Sequence, residues 1–137
     1  ETSWPLRMLL APGSHVPLHA SASGKLLLSL LPLAQRKRLL EQITLRGYTE
    51  NTLVDRRALE RDLEATRSRR VGINREEHLV GMYGIAVPVM LDRRRACAAV
   101  ALQAPAGRAT IDALMGHVPR LEAAAGRIAR TFGAKAG

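Results

Sequence analysis

The sequence predicts a mixed α/β chain of the α+β kind, an antiparallel sheet with helices packed on its faces, and three observations predict it. Two runs of β-forming texture, residues 84–91 and 96–103, are separated by only four polar residues, the spacing of an antiparallel hairpin. Helical spacing dominates the segments on either side. The order of strand, helices, strands, helix also lacks the regular alternation that builds a parallel sheet.

Each element follows from local chemistry. Residues 6–10 form a short apolar run closed by Pro12 and Gly13, a strand leading into a turn, and residues 16–19 resume extended backbone. The small polar run Ser21-Ala22-Ser23-Gly24 then precedes leucine-rich residues 25–31, which Pro32 stops; this predicts a buried helix entered through a serine cap. Pro32 opens a second helix over 33–43, with Leu33, Leu39, Leu40 and Ile43 near one face, Arg36, Lys37 and Arg38 toward water, and Gly47 as its end. Asp55 caps a third helix reaching about Arg70, apolar only at Leu59 and Leu63 and therefore at the surface.

From Val71 the texture turns β-branched, and the two strands of the hairpin follow. Pro88 cannot donate to a ladder, so its strand must have an edge or a bulge there. Finally Ile111, Leu114, Met115, Val118, Leu121, Ala125, Ile128 and Phe132 recur at helical spacing. Gly116 and Pro119 divide them into a short helix and a longer one, with Pro119 in the first turn of the second.

Composition bounds the function. With 137 residues the chain fits one domain, 1–137. Its 47% apolar and 24% charged residues are the balance of a globular protein, not a disordered tail. No apolar run approaches the ~20 residues that span a bilayer, and residues 1–7 lack the basic-then-apolar order of a signal peptide, which points to the cytoplasm and away from membranes. Cys97 is the only cysteine; it can form no internal disulfide and is expected to be a small buried hydrophobe. The net charge of +9 invites a nucleic-acid reading, but the arginines are scattered and few aromatics interleave them. They are expected to be solvated surface, with a weak salt-sensitive attraction to DNA as the lesser alternative.

Enzymatic chemistry is not legible. Gly24-Lys25 lacks the earlier glycine and following Ser or Thr of a phosphate-binding loop, and the serines stand in no Gly-x-Ser-x-Gly elbow. The histidines at 15, 19, 78 and 117 have no metal-ligand spacing, so no catalytic residue, metal or cofactor is predicted. His78 is expected to be a helix-end or turn residue making a backbone hydrogen bond.

Two features do suggest binding. Small residues at the entrance of the first helix expose the backbone N–H groups of residues 22–25, where the helix dipole adds partial positive charge and a carboxylate can be held. An ordinary serine cap, with Gly24 allowing close packing, explains the same residues equally well. In the last strand, alternation puts Cys97, Ala99, Ala101 and Gln103 on one face. Beside Gly84 and Ala86 these side chains leave room either for a ligand, with Gln103 at its rim, or for a closely packed helix.

The stretch Pro17 to Ser29, PLHASASGKLLLS, resembles the signature of the effector-binding domain of the IclR family of bacterial transcriptional regulators. Thr49 and Thr52, then Asp55, Leu59, Leu63, Arg70-Val71-Gly72, Glu76-Glu77, Gly81, the run 84–89, Ala104-Pro105 and Arg108 appear in the family's order and spacing. The resemblance implies a GAF-like fold, no catalysis, and a pocket for a small organic effector between sheet and helical loop. Its contacts would fall on Ala22, Ser23, Asn74, Gly84, Ala101 and Gln103, joined by Gly24 from the helix entrance.

Two departures qualify it. The family commonly has a glycine in the turn before its last strand, whereas this turn is Asp92-Arg93-Arg94-Arg95, which would strain an arginine at positive φ. Ala101 and Gly84 offer no side-chain donor, which favours a larger or more apolar effector such as an aromatic acid over a small keto acid. Family members also carry a winged helix-turn-helix, a linker helix and the first elements of the sensing domain ahead of the point matched by Trp4-Pro5-Leu6. DNA would be touched through that absent N-terminal part alone. A sheet without its first strands has an open edge, so a homodimer or tetramer is expected. A ligand-independent oligomerisation module is the alternative reading.

Overall fold

The computed structural model describes residues 15–134, so the expected strand at 6–10 lies outside the described residues. Five helices and three strands follow in order: α1 Ala22–Leu30, α2 Leu33–Gln42, α3 Arg56–Arg69, β1 Gly72–Arg75, β2 Met82–Met90, β3 Ala96–Pro105, α4 Ile111–Met115 and α5 Val118–Thr131. The described strands form one antiparallel sheet in the order β1-β2-β3.

Helix ends are set by caps. Ser21 Oγ accepts the Gly24 N–H at 3.0 Å, which starts α1 at Ala22, three residues ahead of the leucine run. The same hydroxyl donates to the Pro17 carbonyl at 2.9 Å and folds residues 18–20 into a turn, so the extended backbone expected over 16–19 does not form. Asp55 and Thr110 cap α3 and α4 in the same way. Helix α2 stops at Gln42, ahead of Gly47.

Two layers cover the sheet. Ile85, Val87 and Val89 of β2 face Leu114 of α4 and Ala125 and Ala129 of α5, while Ala86 on the opposite face meets Ala22 and Leu26 of α1. A separate cluster, Leu28, Leu40, Leu59 and Leu63, joins α1, α2 and α3. Pro88 sits where the ladder can spare it. Met82 accepts from Glu76 on the β1 side, alternation turns the Pro88 nitrogen to that side too, and β1 ends earlier at the Gly72–Ala86 pair. A register shift follows at Val89/Met90.

Three expectations are corrected. Arg36 does not face water: it is 2% exposed, bonds the Ser29 carbonyl at 3.5 Å and pairs with Glu64 of α3, because α2 turns that face toward α3. Leu33, expected on the apolar face, is 52% exposed. Cys97 is exposed rather than buried, since β3 is the edge of the described sheet and α1 reaches only as far as Ala99.

The arginine-rich hairpin needs no positive φ. Asp92 accepts the N–H groups of Arg94 and Arg95 and pairs with the Arg95 guanidinium at 2.8 Å. The strained backbone lies instead at Arg70, φ 59, and Glu76, φ 55. The Arg94 N–H, then the Arg95 side chain and N–H, hold the Asp92 carboxyl down at about 2. A depressed carboxyl stabilises the fold above its ordinary value of 3.8, and that contribution disappears as pH falls through about 2. Titration of the Asp92 side-chain carbon by NMR should give this low midpoint, and Asp92→Asn should remove the acid sensitivity of the hairpin.

Gly72 is the tightest point of the α1–sheet contact, since a Cβ there would overlap the Ala22 carbonyl oxygen and crowd Leu26. Nothing lies within 4 Å of a Cβ at Gly107. Gly72→Ala should therefore cost about 2–3 kcal/mol in urea denaturation, with Gly107→Ala within about 0.5 kcal/mol of the parent.

Candidate functional site

A small hollow of about 40 Å³ lies between the start of α1, the strands and the bend that joins β1 to β2. Ala22 and Ser23 supply the helical wall, Gly84, Ala101 and Gln103 the sheet, Asn74 the end of β1, and His78, Leu79 and Met82 the bend; Val16 closes one side. Six of the seven predicted residues thus meet here: Ala22, Ser23, Asn74, Gly84, Ala101 and Gln103. Gly24 does not. Its Cβ position is filled by Leu18 and the Ser21 hydroxyl, so this glycine serves the close passage of the preceding turn.

The amide donors divide likewise. The Gly24 N–H is taken by the Ser21 hydroxyl and the Lys25 N–H by the Ser21 carbonyl at 3.0 Å. Of residues 22–25, only Ala22 and Ser23 keep free helix-end amides among the described residues. Asn74 adds a third donor. It is 9% exposed, its Oδ1 accepts the Glu77 N–H at 2.8 Å, and its Nδ2 makes no hydrogen bond among the described residues.

Behind this wall is a charge cluster that the sequence does not reveal. Lys25, 0% exposed, points its ammonium at Glu77 Oε1, 2.8 Å away, and at Asp62 Oδ2, 3.2 Å away. Glu77 Oε1 has no other partner among the described residues, so the ammonium is its compensation. Glu77 Oε2 accepts the Arg75 N–H at 2.9 Å, and the Thr52 hydroxyl donates to the Glu77 carbonyl. Lysine is almost never buried without such pairing. The sequence signal was a charged residue set among leucines, but its acids lie 37 and 52 positions away.

His78 is a half-buried lining residue and, among the described residues, makes none of the backbone hydrogen bonds expected of it. Its ring meets Tyr48 edge to face at 5.0 Å; Tyr48 in turn lies beside His19 and beneath the Arg46 guanidinium. Burial, with the charge of His19 as a second cause, lowers the His78 pKa below its ordinary value.

The sequence model described as "Bacterial transcriptional regulator IclR C-terminal" matches residues 1–130. The chain belongs to the IclR family. The probable transcriptional regulator SauR of Cupriavidus necator is 54% identical over 132 residues, 96% of this chain and 52% of its own. The HTH-type transcriptional repressor AllR of Escherichia coli K12 is 34% identical over 131 residues, 96% and 48% of the two chains. The chain therefore spans about half the length of these curated relatives.

Among solved structures, the inducer binding domain of the PobR transcription factor from Acinetobacter, a double mutant in complex with 3-hydroxybenzoic acid, superposes with a TM-score of 0.79 at 30% identity, covering 85% of this chain and 67% of its own. The C-terminal domain of the E. coli transcriptional regulator KdgR gives 0.78 at 32% identity, covering 85% and 71%. This IclR C-terminal domain has the GAF-like arrangement of a sheet with helices, and its family is one of transcriptional regulators rather than enzymes. Among the described residues, no helix is long and apolar enough to cross a membrane.

Removing one partner of a buried pair leaves the other charge uncompensated. Lys25→Met should cost about 3–5 kcal/mol by urea denaturation, and Lys25→Met/Glu77→Gln should recover part of that loss.

Proposed function

We propose that this domain is the effector sensor of a bacterial transcriptional regulator. It takes a small organic acid into the hollow and, in the intact protein, biases DNA binding by a winged helix-turn-helix carried elsewhere. One observation carries the reading: Ala22 and Ser23, with free helix-end amides, and Asn74, with an unpartnered Nδ2, line the same hollow as Gly84, Ala101 and Gln103. Donors without partners beside a positive helix end favour an anion, and a carboxylate satisfies several of them at once. The relatives support this, since one is an inducer binding domain complexed with 3-hydroxybenzoic acid.

Size sets the guest. About 40 Å³ admits on the order of three waters. A compact carboxylate suits the hollow as it stands, whereas an aromatic acid enters only if Val16, Leu79 or Met82 gives way. A homodimer or tetramer in the cytoplasm is the working assembly. The exposed Val16, Leu18, Tyr48, Val54 and Val80, the last 81% exposed, support contact with another chain or domain.

Thermal shift with a panel of organic acids tests the proposal, because a guest at a hundred times its Kd adds about 2.7 kcal/mol to stability. Gly84→Ala is the matched control: its Cβ would make ordinary contacts with Gln103 and Ala22, so the fold survives while the hollow shrinks. The expected outcome is an acid that raises the Tm of the parent and not of Gly84→Ala. An equal rise in both, or none with any acid, would count against the receptor.

A further inference from the structure

Around the hollow, His78 alone among the lining residues carries a side chain able to change charge near neutral pH. It belongs to the bend and shares the lining of the hollow with Ala22 and Ser23, whose amides are free, and with Asn74 on the chain that leads into that bend. Its ring makes no hydrogen bond among the described residues and meets Tyr48 edge to face. An unbonded imidazole next to unpartnered donors is an incomplete arrangement. An anion seated on those amides supplies the negative charge and the acceptor that imidazolium requires.

We propose that His78 is a contact group of this site that takes up a proton when an anionic guest is seated, so that the domain holds its acid more tightly at mildly acidic pH. The proposal rests on the receptor reading above and adds its pH response and the residue responsible. The proton comes from solvent and goes to the imidazole; no other bond is made or broken.

The surrounding charges fix the sign. From the turn before α1, the buried His19 lies beside Tyr48 with its Nε2 2.8 Å from the Arg46 carbonyl; from the α2–α3 loop come Tyr48 and the Arg46 guanidinium above it. On the bend itself, Glu77 is committed to Lys25, and Glu76 Oε1 accepts the Gly81 N–H at 2.7 Å. Both carboxylates of the bend therefore have a partner already, while His19 and Arg46 oppose a further positive charge on His78. In the free domain the neutral imidazole is favoured, in line with its lowered pKa, whose first cause is burial. A guest carboxylate reverses that balance. Its affinity then rises as pH falls through the interval between the free and bound His78 midpoints and levels off below it, since linkage is reciprocal.

The test is NMR titration of the His78 ring in the 137-residue chain, alone and with saturating acetate or 3-hydroxybenzoate, with affinities for both acids measured at about pH 5.5 and 8, where each carboxylate is ionised. His15 and His117, which line no part of the hollow, serve as internal references. The expected result is a His78 midpoint about one unit higher with the bound acid, and correspondingly an affinity up to about tenfold greater at the lower pH. In His78→Gln the acid should still bind, with that pH dependence gone. Binding that is flat with pH in the parent, or unchanged pH dependence in His78→Gln, overturns the role of His78 and leaves the receptor standing. Failure of both acids to bind at either pH overturns this proposal, and failure of the wider acid panel overturns the receptor with it.

Discussion

A buried ammonium governs how this domain is put together. Lys25 projects from the helix whose first turn forms one wall of the hollow, and its two acids belong to α3 and to the bend between β1 and β2. Such a cluster adds little net stability over an apolar substitute, because desolvating three charges offsets most of their attraction. Its effect is geometric. Any rotation of α1, slip of α3 or shift of the bend separates charges that have nowhere else to go. The Thr52 and Thr49 hydroxyls extend the constraint by bonding the carbonyls of Glu77 and Glu76, and so bring the α2–α3 loop into the same rigid unit.

The hollow exists because that unit meets a sheet made of small residues. Gly72 lets the Ala22 carbonyl come within a distance no side chain would tolerate, and Ala86 and Ala99 let Leu26 follow it down. Contact is therefore close along the body of α1. At its first turn the packing partners become Gly84 and Ala101, which are too small to fill the gap. The amides left open at that point are those of Ala22 and Ser23, since Ser21 uses its hydroxyl and carbonyl on the next two. Packing and electrostatics thus place free volume and positive helix-end potential together without any cation in the lining.

Local signals were the legible part. Serine, aspartate and threonine caps, Pro119 in a first helical turn and the alternation of β3 all act within a few residues, and each element they mark is present. What escaped depended on partners far along the chain. Arg36 sits in a run of basic residues and reads as solvated, yet its carboxylate, Glu64, is 28 positions away on another helix. Cys97 has the alternation of a packed strand but lies past the end of the helix that would cover it. Ala22, Ser23, Asn74, Gly84, Ala101 and Gln103, which line the hollow, are indicated chiefly by resemblance to a family; spacing alone leaves a serine cap equally good as an explanation. Gly24 was carried along by adjacency, and the capping hydroxyl excludes it.

Which walls can yield decides how a guest could act on anything beyond the hollow. The α1 wall is pinned by Gly72 and by the Lys25 cluster, and the sheet wall by its ladder on both sides of β2. The bend is held by fewer ties: Glu77 anchors its first half and the Glu76 carboxylate takes the Gly81 N–H, while the side chain of Val80, between them, is exposed and Gly81 turns at φ 85. If a guest larger than the present volume enters, as proposed, the bend is the wall that would have to move, and Val80 is its exposed part. Only a difference in affinity between the two positions of that wall can shift their populations. On the proposed reading, occupancy would then be felt at an exposed apolar side chain, the kind of surface on which contact between chains depends.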